Sequence, residues 1–261
     1  MRIKKIFVVL SLFLFNMWIL SSDDQKESII LSSSEMALGY GSEYQLLRFL
    51  GYHRNYLNKT ILTALNLPVT TNINWLDYPI NLDRKSLDGE LKDIECFQEL
   101  SNFKEIEQAW KEFWPNTGSA QNWDGIFKID DTWYFVEAKA HEEEIHSSTK
   151  ANSKSKELIS KTFQKYCSEF SSKTETWINS DSYQLANRIA FIQFCKNNGI
   201  KAKLVYISFI NGYEKTGNSK SIHSEEEWKT IWDKEYKELG LDIEKLNSIL
   251  TNVYIDCKNI N

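Results

Sequence analysis

Asp124, Glu137 and Lys139 are the residues of this chain whose types and spacing can do chemistry together. They lie in NWDGIFKIDDTWYFVEAKAHEEE, residues 122–144. There Gly125 to Ile129 and Trp133 to Lys139 have the aromatic and β-branched content of strands, and Asp130-Asp131 suits a tight turn between them. A two-residue loop pairs Ile129 with Thr132, and counting outward sets Asp124 opposite Glu137. Directly opposed residues share a face, with Cβ atoms ~4.5 to 5.5 Å apart, close enough for two carboxylates to hold one divalent cation. Lys139, two residues further on, falls on the same face.

Two carboxylates forced together repel, and a bound Mg²⁺ is the simplest way to neutralise them without raising a pKa. Such a metal implies a phosphate-bearing substrate. It lowers the pKa of a bound water and polarises a phosphoryl group, while a nearby ammonium offsets charge building up on phosphate oxygens. The predicted chemistry is therefore phosphodiester hydrolysis. The plainer alternative is a strand that ends in solvated charges. Against it, Trp133-Tyr134-Phe135-Val136 is apolar on both faces, as in an interior strand, where unused charges are expensive.

Asp124 followed by Glu137-Ala138-Lys139 at the end of an apolar strand resembles the PD-(D/E)XK, or restriction-endonuclease-like, nuclease superfamily. The surrounding NWDGI and FVEAKAH, and the later YQLANRIAF and VYISFI, are similar to a bacterial subgroup of it. Trp123 stands where the family's signature has Pro. The resemblance runs from Leu38 to Ile210. It implies an α/β fold with a central mixed sheet flanked by helices, dependence on Mg²⁺ with Mn²⁺ able to substitute, and cleavage of nucleic acid, DNA before RNA. By analogy with symmetric double-strand cutting, it also suggests a homodimer. An acid on the first helix often completes the family's metal shell, and Glu43 is the matching position. An acid in a first helical turn also simply complements the helix dipole.

Several elements must position these groups. Ser42 with Gln45 reads as a capping box opening a helix that runs, with a break near Gly51, toward Leu65. Val69 to Leu82 looks extended, Asp88-Gly89 turns, and Cys96 to Trp114 has helical spacing that Pro115 ends. A helix follows the loop from Ser147 to Lys156 and runs toward Phe170. Tyr183 to Asn197 is a second helix stopped at Asn198-Gly199, and Lys203 to Ile210 is a third strand. Ser224 with Glu227 opens a helical C-terminal extension closed by Gly240.

Gln184 and Arg188, one turn apart on one helical face, are candidates to approach a phosphate. Lys154 and Lys161, with Lys150 and Lys165, can form a basic stripe or be ordinary surface lysines. His141 continues the Glu137-Lys139 face if the strand persists. Trp114, Trp123 and Trp133 can stack on bases or fill the core.

A formal net charge of −5 excludes coating of nucleic acid by bulk electrostatics, so any such contact must be local. Cys96, Cys167, Cys195 and Cys257 lie far apart, which points to reduced structural thiols rather than a zinc site or disulfide framework. Arg2, Lys4 and Lys5 precede a largely apolar run through Leu20, the layout of a signal peptide or anchor. The expected organisation is a leader and polar linker over residues 1–35 and a single domain over 36–261. A start at Met36 makes the protein cytoplasmic; otherwise it is exported, or held at a membrane through residues 6–20. Besides the nuclease, two functions are open: a catalytically silent binding protein of the same fold, and an exported protein whose hairpin holds a structural cation. Loss of an acid or of the Lys would mark the silent protein, and all three residues are present.

Overall fold

The two strands of the hairpin pair in the expected register, antiparallel from Ile129↔Thr132 to Gly125↔Val136. Asp130 adopts a φ of 50°, the left-handed conformation that two-residue hairpin loops demand and Asp tolerates. The computed structural model describes residues 41–76, 91–116, 121–213 and 221–258. The predicted leader and the Asp88-Gly89 turn lie outside the described residues. Before the hairpin come α1 (Ser42–Tyr52), α2 (Arg54–Ala64), β1 (Asn74–Trp75), β2 (Leu91–Lys92), α3 (Phe103–Phe113) and β3 (Asn122–Trp123). The hairpin is β4 (Gly125–Ile129) and β5 (Thr132–Lys139). After it come α4 (Ser153–Tyr166), α5 (Tyr183–Asn197), β6 (Ala202–Ile210), α6 (Glu225–Glu238), α7 (Ile243–Ile249) and β7 (Leu250–Asp256).

The protein is α/β, with an open mixed sheet in the order β1-β4-β5-β6-β7. β4 is antiparallel to β1 and β5, whereas β6 is parallel to β5 and β7 to β6. A parallel pair needs a crossover, and α4 and α5 supply it between β5 and β6. β5 is therefore central and is buried from Trp133 onward on both faces. Tyr134, Val136 and Ala138 meet Leu46, Phe49 and Leu57 of α1 and α2 on one face. Trp133 and Phe135 meet α3, α4, α5 and α6 on the other. The alternation of a strand continues that second face through Glu137 and Lys139.

α5 is buried at every position from Leu185 to Cys195. A helix wrapped on all sides has no polar face to turn to water, so Asn187, Arg188 and Gln193 are carried into the interior with their apolar neighbours. Around it an aromatic cluster closes: the ring of Phe191 lies 4.8 Å from those of both Trp123 and Phe135 and 5.6 Å from Trp110. Trp114, Trp123 and Trp133 are all core residues.

Some local expectations change. Gly41, with φ 96°, is the N-cap of α1, and the Ser42 N–H donates to Glu144 Oε1 at 3.4 Å instead of Ser42 capping the helix. The break between α1 and α2 falls at His53 rather than Gly51. The helix expected from Cys96 divides into a 3-10 turn, Glu95–Phe97, and α3. Ser224 does cap α6, accepting from the Glu227 N–H at 3.1 Å. The helical C-terminal extension is present as α6 and α7, and beyond it the chain returns to the sheet as β7, a strand not foreseen from the sequence. All four cysteines are free. Among the described residues no helix is long and apolar enough to cross a membrane.

Phe191→Ala should destabilise the protein by about 3–5 kcal/mol, the cost of emptying an aromatic site that cannot collapse. Urea unfolding measures it, and a loss under about 1 kcal/mol would show that the cluster repacks.

Candidate active site

Asp124 sits where the chain changes sheets. β3 before it pairs with β2 in a separate two-stranded sheet, while β4 after it joins the main sheet. The β4–β5 ladder ends at Gly125↔Val136, so β4 offers no backbone partner to Ala138. The side chain of Asp124 does so instead: its Oδ2 accepts the Ala138 N–H at 2.7 Å. One acid is thus fastened to the residue between Glu137 and Lys139.

Glu137 is 1% exposed and Lys139 6%. Lys139 Nζ lies 3.5 Å from Glu137 Oε2, and Arg188 Nε donates to Glu137 Oε1 at 2.5 Å. The guanidinium is held from three sides. Its Nη2 donates to the Asn122 carbonyl at 2.6 Å, its Nη1 to Asn187 Oδ1 at 3.0 Å, and its plane lies 4.5 Å from the centre of the Trp123 ring. Burial works against the charge on Arg188, but Glu137, through its charge and a hydrogen bond, and then Asp124 more than offset it and hold its pKa above the ordinary value. Tyr206, beside Glu137 on β6, has its phenol pushed well up by burial and then by Glu137, so it stays neutral. The Tyr206 hydroxyl is buried without a hydrogen-bond partner.

The two acids therefore stand beside two cations, Lys139 and Arg188. From sequence, a bound cation was the simplest neutraliser of the acids; in the structure Arg188 and Lys139 already fill part of that role. Among the described residues no three His, Cys, Asp or Glu side chains gather to hold a metal ion. Mg²⁺ does not require three, because one or two carboxylates with water and phosphate oxygens suffice. The donor chemistry of Asp124 and Glu137 fits such an ion, with Glu137 Oε2 the more loosely held of its oxygens.

The other predicted residues scatter. Glu43 is exposed on α1, the helix that covers the opposite face of the sheet from Glu137 and Lys139. Lys154 is exposed on α4, and Lys161 pairs with Glu157 at 2.6 Å, both side chains largely in solvent. Gln184 is half-buried, its N–H donating to Ser147 Oγ at 2.7 Å. His141 lies past the end of β5, buried against the Tyr213 ring, with Nε2 3.5 Å from Glu144 Oε1.

A cavity of about 540 Å³ opens beside Arg188, lined among others by Gln121, Asn122, Ser147, Tyr183, Gln184 and Asn187. Of the lining residues, sequence reasoning singled out Trp114, Lys150, Gln184 and Arg188 but not Gln121, Asn122, Ser147, Tyr183 or Asn187, because isolated amide and hydroxyl side chains carry no periodic signal. Gln121 is 4% exposed, yet neither its amide oxygen nor its amide nitrogen has a hydrogen-bond partner. Leaving such groups unpaired costs about 1–3 kcal/mol each. Its backbone is latched on both sides, with its N–H donating to Asp93 Oδ1 at 2.9 Å and its carbonyl accepting the Asp93 N–H at 2.8 Å.

Arg188→Met should destabilise the fold by about 3 kcal/mol or more, because it leaves Glu137 buried with its main partner gone. Adding Glu137→Met should recover most of that loss. Equal destabilisation of the single and double variants in urea unfolding would show that the pair is not its origin. A scan against protein-family models and searches of curated proteins and of solved structures find no significant match to this chain.

Proposed function

We propose that this chain is a metal-dependent nuclease that hydrolyses phosphodiester bonds of nucleic acid, DNA in the first place. The observation that carries it is the convergence on three consecutive residues of β5: Asp124 is bound to Ala138, Glu137 stands on one side and Lys139 on the other. The open mixed sheet with helices packed on it is the architecture that the restriction-endonuclease-like resemblance implies.

When bound, Mg²⁺ would be held by Asp124 and Glu137 and would supply Lewis-acid polarisation and an acidified water. The protein's own residues do the rest. Lys139 brings a positive charge to the scissile phosphate and offsets charge developing on its oxygens. Arg188 keeps Glu137 aligned inside the protein, since its donor is fixed by β3, α5 and the Trp123 ring. Tyr206 and the aromatic cluster exclude water from the inner side of the site. The polar cavity gives the strand a place to lie beside Arg188, the partner of Glu137.

One observation favours a second reading, a silent binding protein of the same architecture: Glu137 already has two cationic partners inside the protein. The two readings differ in turnover. The purified chain, incubated with linear, circular and single-stranded DNA and with RNA, should cleave in Mg²⁺ or Mn²⁺ and not in EDTA. Asp124→Asn should abolish cleavage. Lys139→Ala should keep metal binding by calorimetry and lose roughly 10²–10³-fold in rate, as when one donor to a developing oxyanion is removed. Metal-independent cleavage, or full activity in Asp124→Asn, would refute the assignment; a folded chain that binds nucleic acid and cleaves none supports the silent protein.

A further inference from the structure

We infer that the cavity beside Arg188 is a phosphate pocket, which holds one phosphate group of a nucleic-acid strand between Ser155, Lys150 and the N-terminal turns of α4 and α5. The inference deepens the nuclease reading and rests on it for the strand; the pocket itself stands on the chemistry of the cavity wall. Ser155, in the first turn of α4, lines the cavity and is 7% exposed. Its N–H is taken by the Asn152 side-chain cap at 3.0 Å. Its hydroxyl has no hydrogen-bond partner among the described residues and, unlike the Gln121 amide, is not sealed from solvent, so it is open to the cavity that Ser155 lines.

The charge around that hydroxyl has one sign. In a chain of net charge −5, none of the described residues lining the cavity is acidic. Lys150 lines it as an exposed cation that pairs with no acid among the described residues. Both crossover helices begin there, with Ser155 in the first turn of α4 and Tyr183 in that of α5, so two positive helix ends converge on one space. The neighbouring polar groups are donors as well. Asn187, 8% exposed, accepts from Arg188 Nη1 with its amide oxygen at 3.0 Å, which leaves its NH₂ group to donate. Burial pushes the Tyr183 phenol up, and Thr149, the Arg188 charge and Asn187 oppose that only in part, so the hydroxyl keeps its proton. A phosphodiester, negatively charged and all acceptor, complements such a wall, whereas a base or a sugar brings donors of its own that call for acceptors. At about 540 Å³ the cavity has room for the phosphate and the sugar joined to it. Arg188 lines it and holds Glu137, which makes the occupant a phosphate flanking the scissile one.

The test is calorimetric binding to the full chain in EDTA, which suppresses turnover. The probes are a five-nucleotide single-stranded DNA, the same sequence with an uncharged methylphosphonate backbone, and inorganic phosphate. The DNA should bind roughly tenfold or more tighter than the methylphosphonate strand. Ser155→Ala, which deletes only the hydroxyl, should weaken the charged probes roughly tenfold, as expected for one hydrogen bond to a charged oxygen, and leave the methylphosphonate strand unchanged. Ser155→Asp puts an acid in a first helical turn, where the helix tolerates it, and should lose most of the preference for charge. Lys150→Ala, at an exposed position, should weaken DNA binding and lower its salt slope by about one. Inorganic phosphate bound as tightly as the DNA, and lost in Ser155→Asp, would support the pocket and identify free phosphate as its occupant. A parent protein that prefers neither charged probe, or either Ser155 variant binding them as tightly as the parent, overturns the inference. DNA cleavage whose KM is unchanged in Ser155→Ala removes the pocket alone; Ser155-dependent phosphate binding without cleavage of any nucleic acid removes the nuclease reading and leaves the pocket standing.

Discussion

The pairing of Glu137 with Arg188 is the constraint around which the centre of this molecule is built. One partner lies on the middle strand of a sheet covered on both faces, and the other on a helix buried all round. Both charges are almost wholly buried, so each needs the other at hydrogen-bonding distance. That requirement ties α5 to β5. Through the Asn122 carbonyl and the Trp123 ring it also ties both to β3, the strand just before Asp124. The acids and the amine are thus held by elements far apart in sequence, and a small displacement of α5 would move the guanidinium that partners Glu137 Oε1.

The C-terminal helical layer secures α5 in turn. Glu235 of α6 is buried to 1% exposure and accepts from Ser182 Oγ, next to the start of α5, with His146 Nε2 3.5 Å away. Trp228 and Trp232 of the same helix donate to the Phe209 carbonyl and to Ser208 Oγ on β6. A second buried acid therefore clamps the N-terminal end of α5 while two indoles fasten α6 to the sheet. The segment where the family resemblance stops is structurally part of what positions the site. β7, beyond it, extends the sheet in parallel with β6.

Much of this was legible before any coordinates. The hairpin, its register and the turn at Asp130 follow from short-range rules: strand content, a two-residue loop and a period of two. α5 was legible at both ends, because Asn198-Gly199 is a stop signal and its apolar residues recur at helical spacing. β7 was not, since Leu250–Asp256 mixes Thr, Asn and Asp with its apolar residues and reads as strand only once β6 offers it an edge. Ser42 looked like a cap because its type and spacing fit one; its N–H was instead taken by Glu144, a hundred residues away, which no local pattern records.

By itself, then, the sequence determined the α/β class, the hairpin and the local grouping of Asp124, Glu137 and Lys139, because each depends on neighbours within a few residues or across one tight turn. Tertiary structure alone decided that Arg188 completes that group while Glu43, Lys154 and Lys161 lie apart from it, and that Gln121 is buried with its amide unpaired. The physical reason is burial. A helical position shows only its spacing in sequence, and whether it meets water, a carboxylate or an empty pocket depends on which elements pack around it.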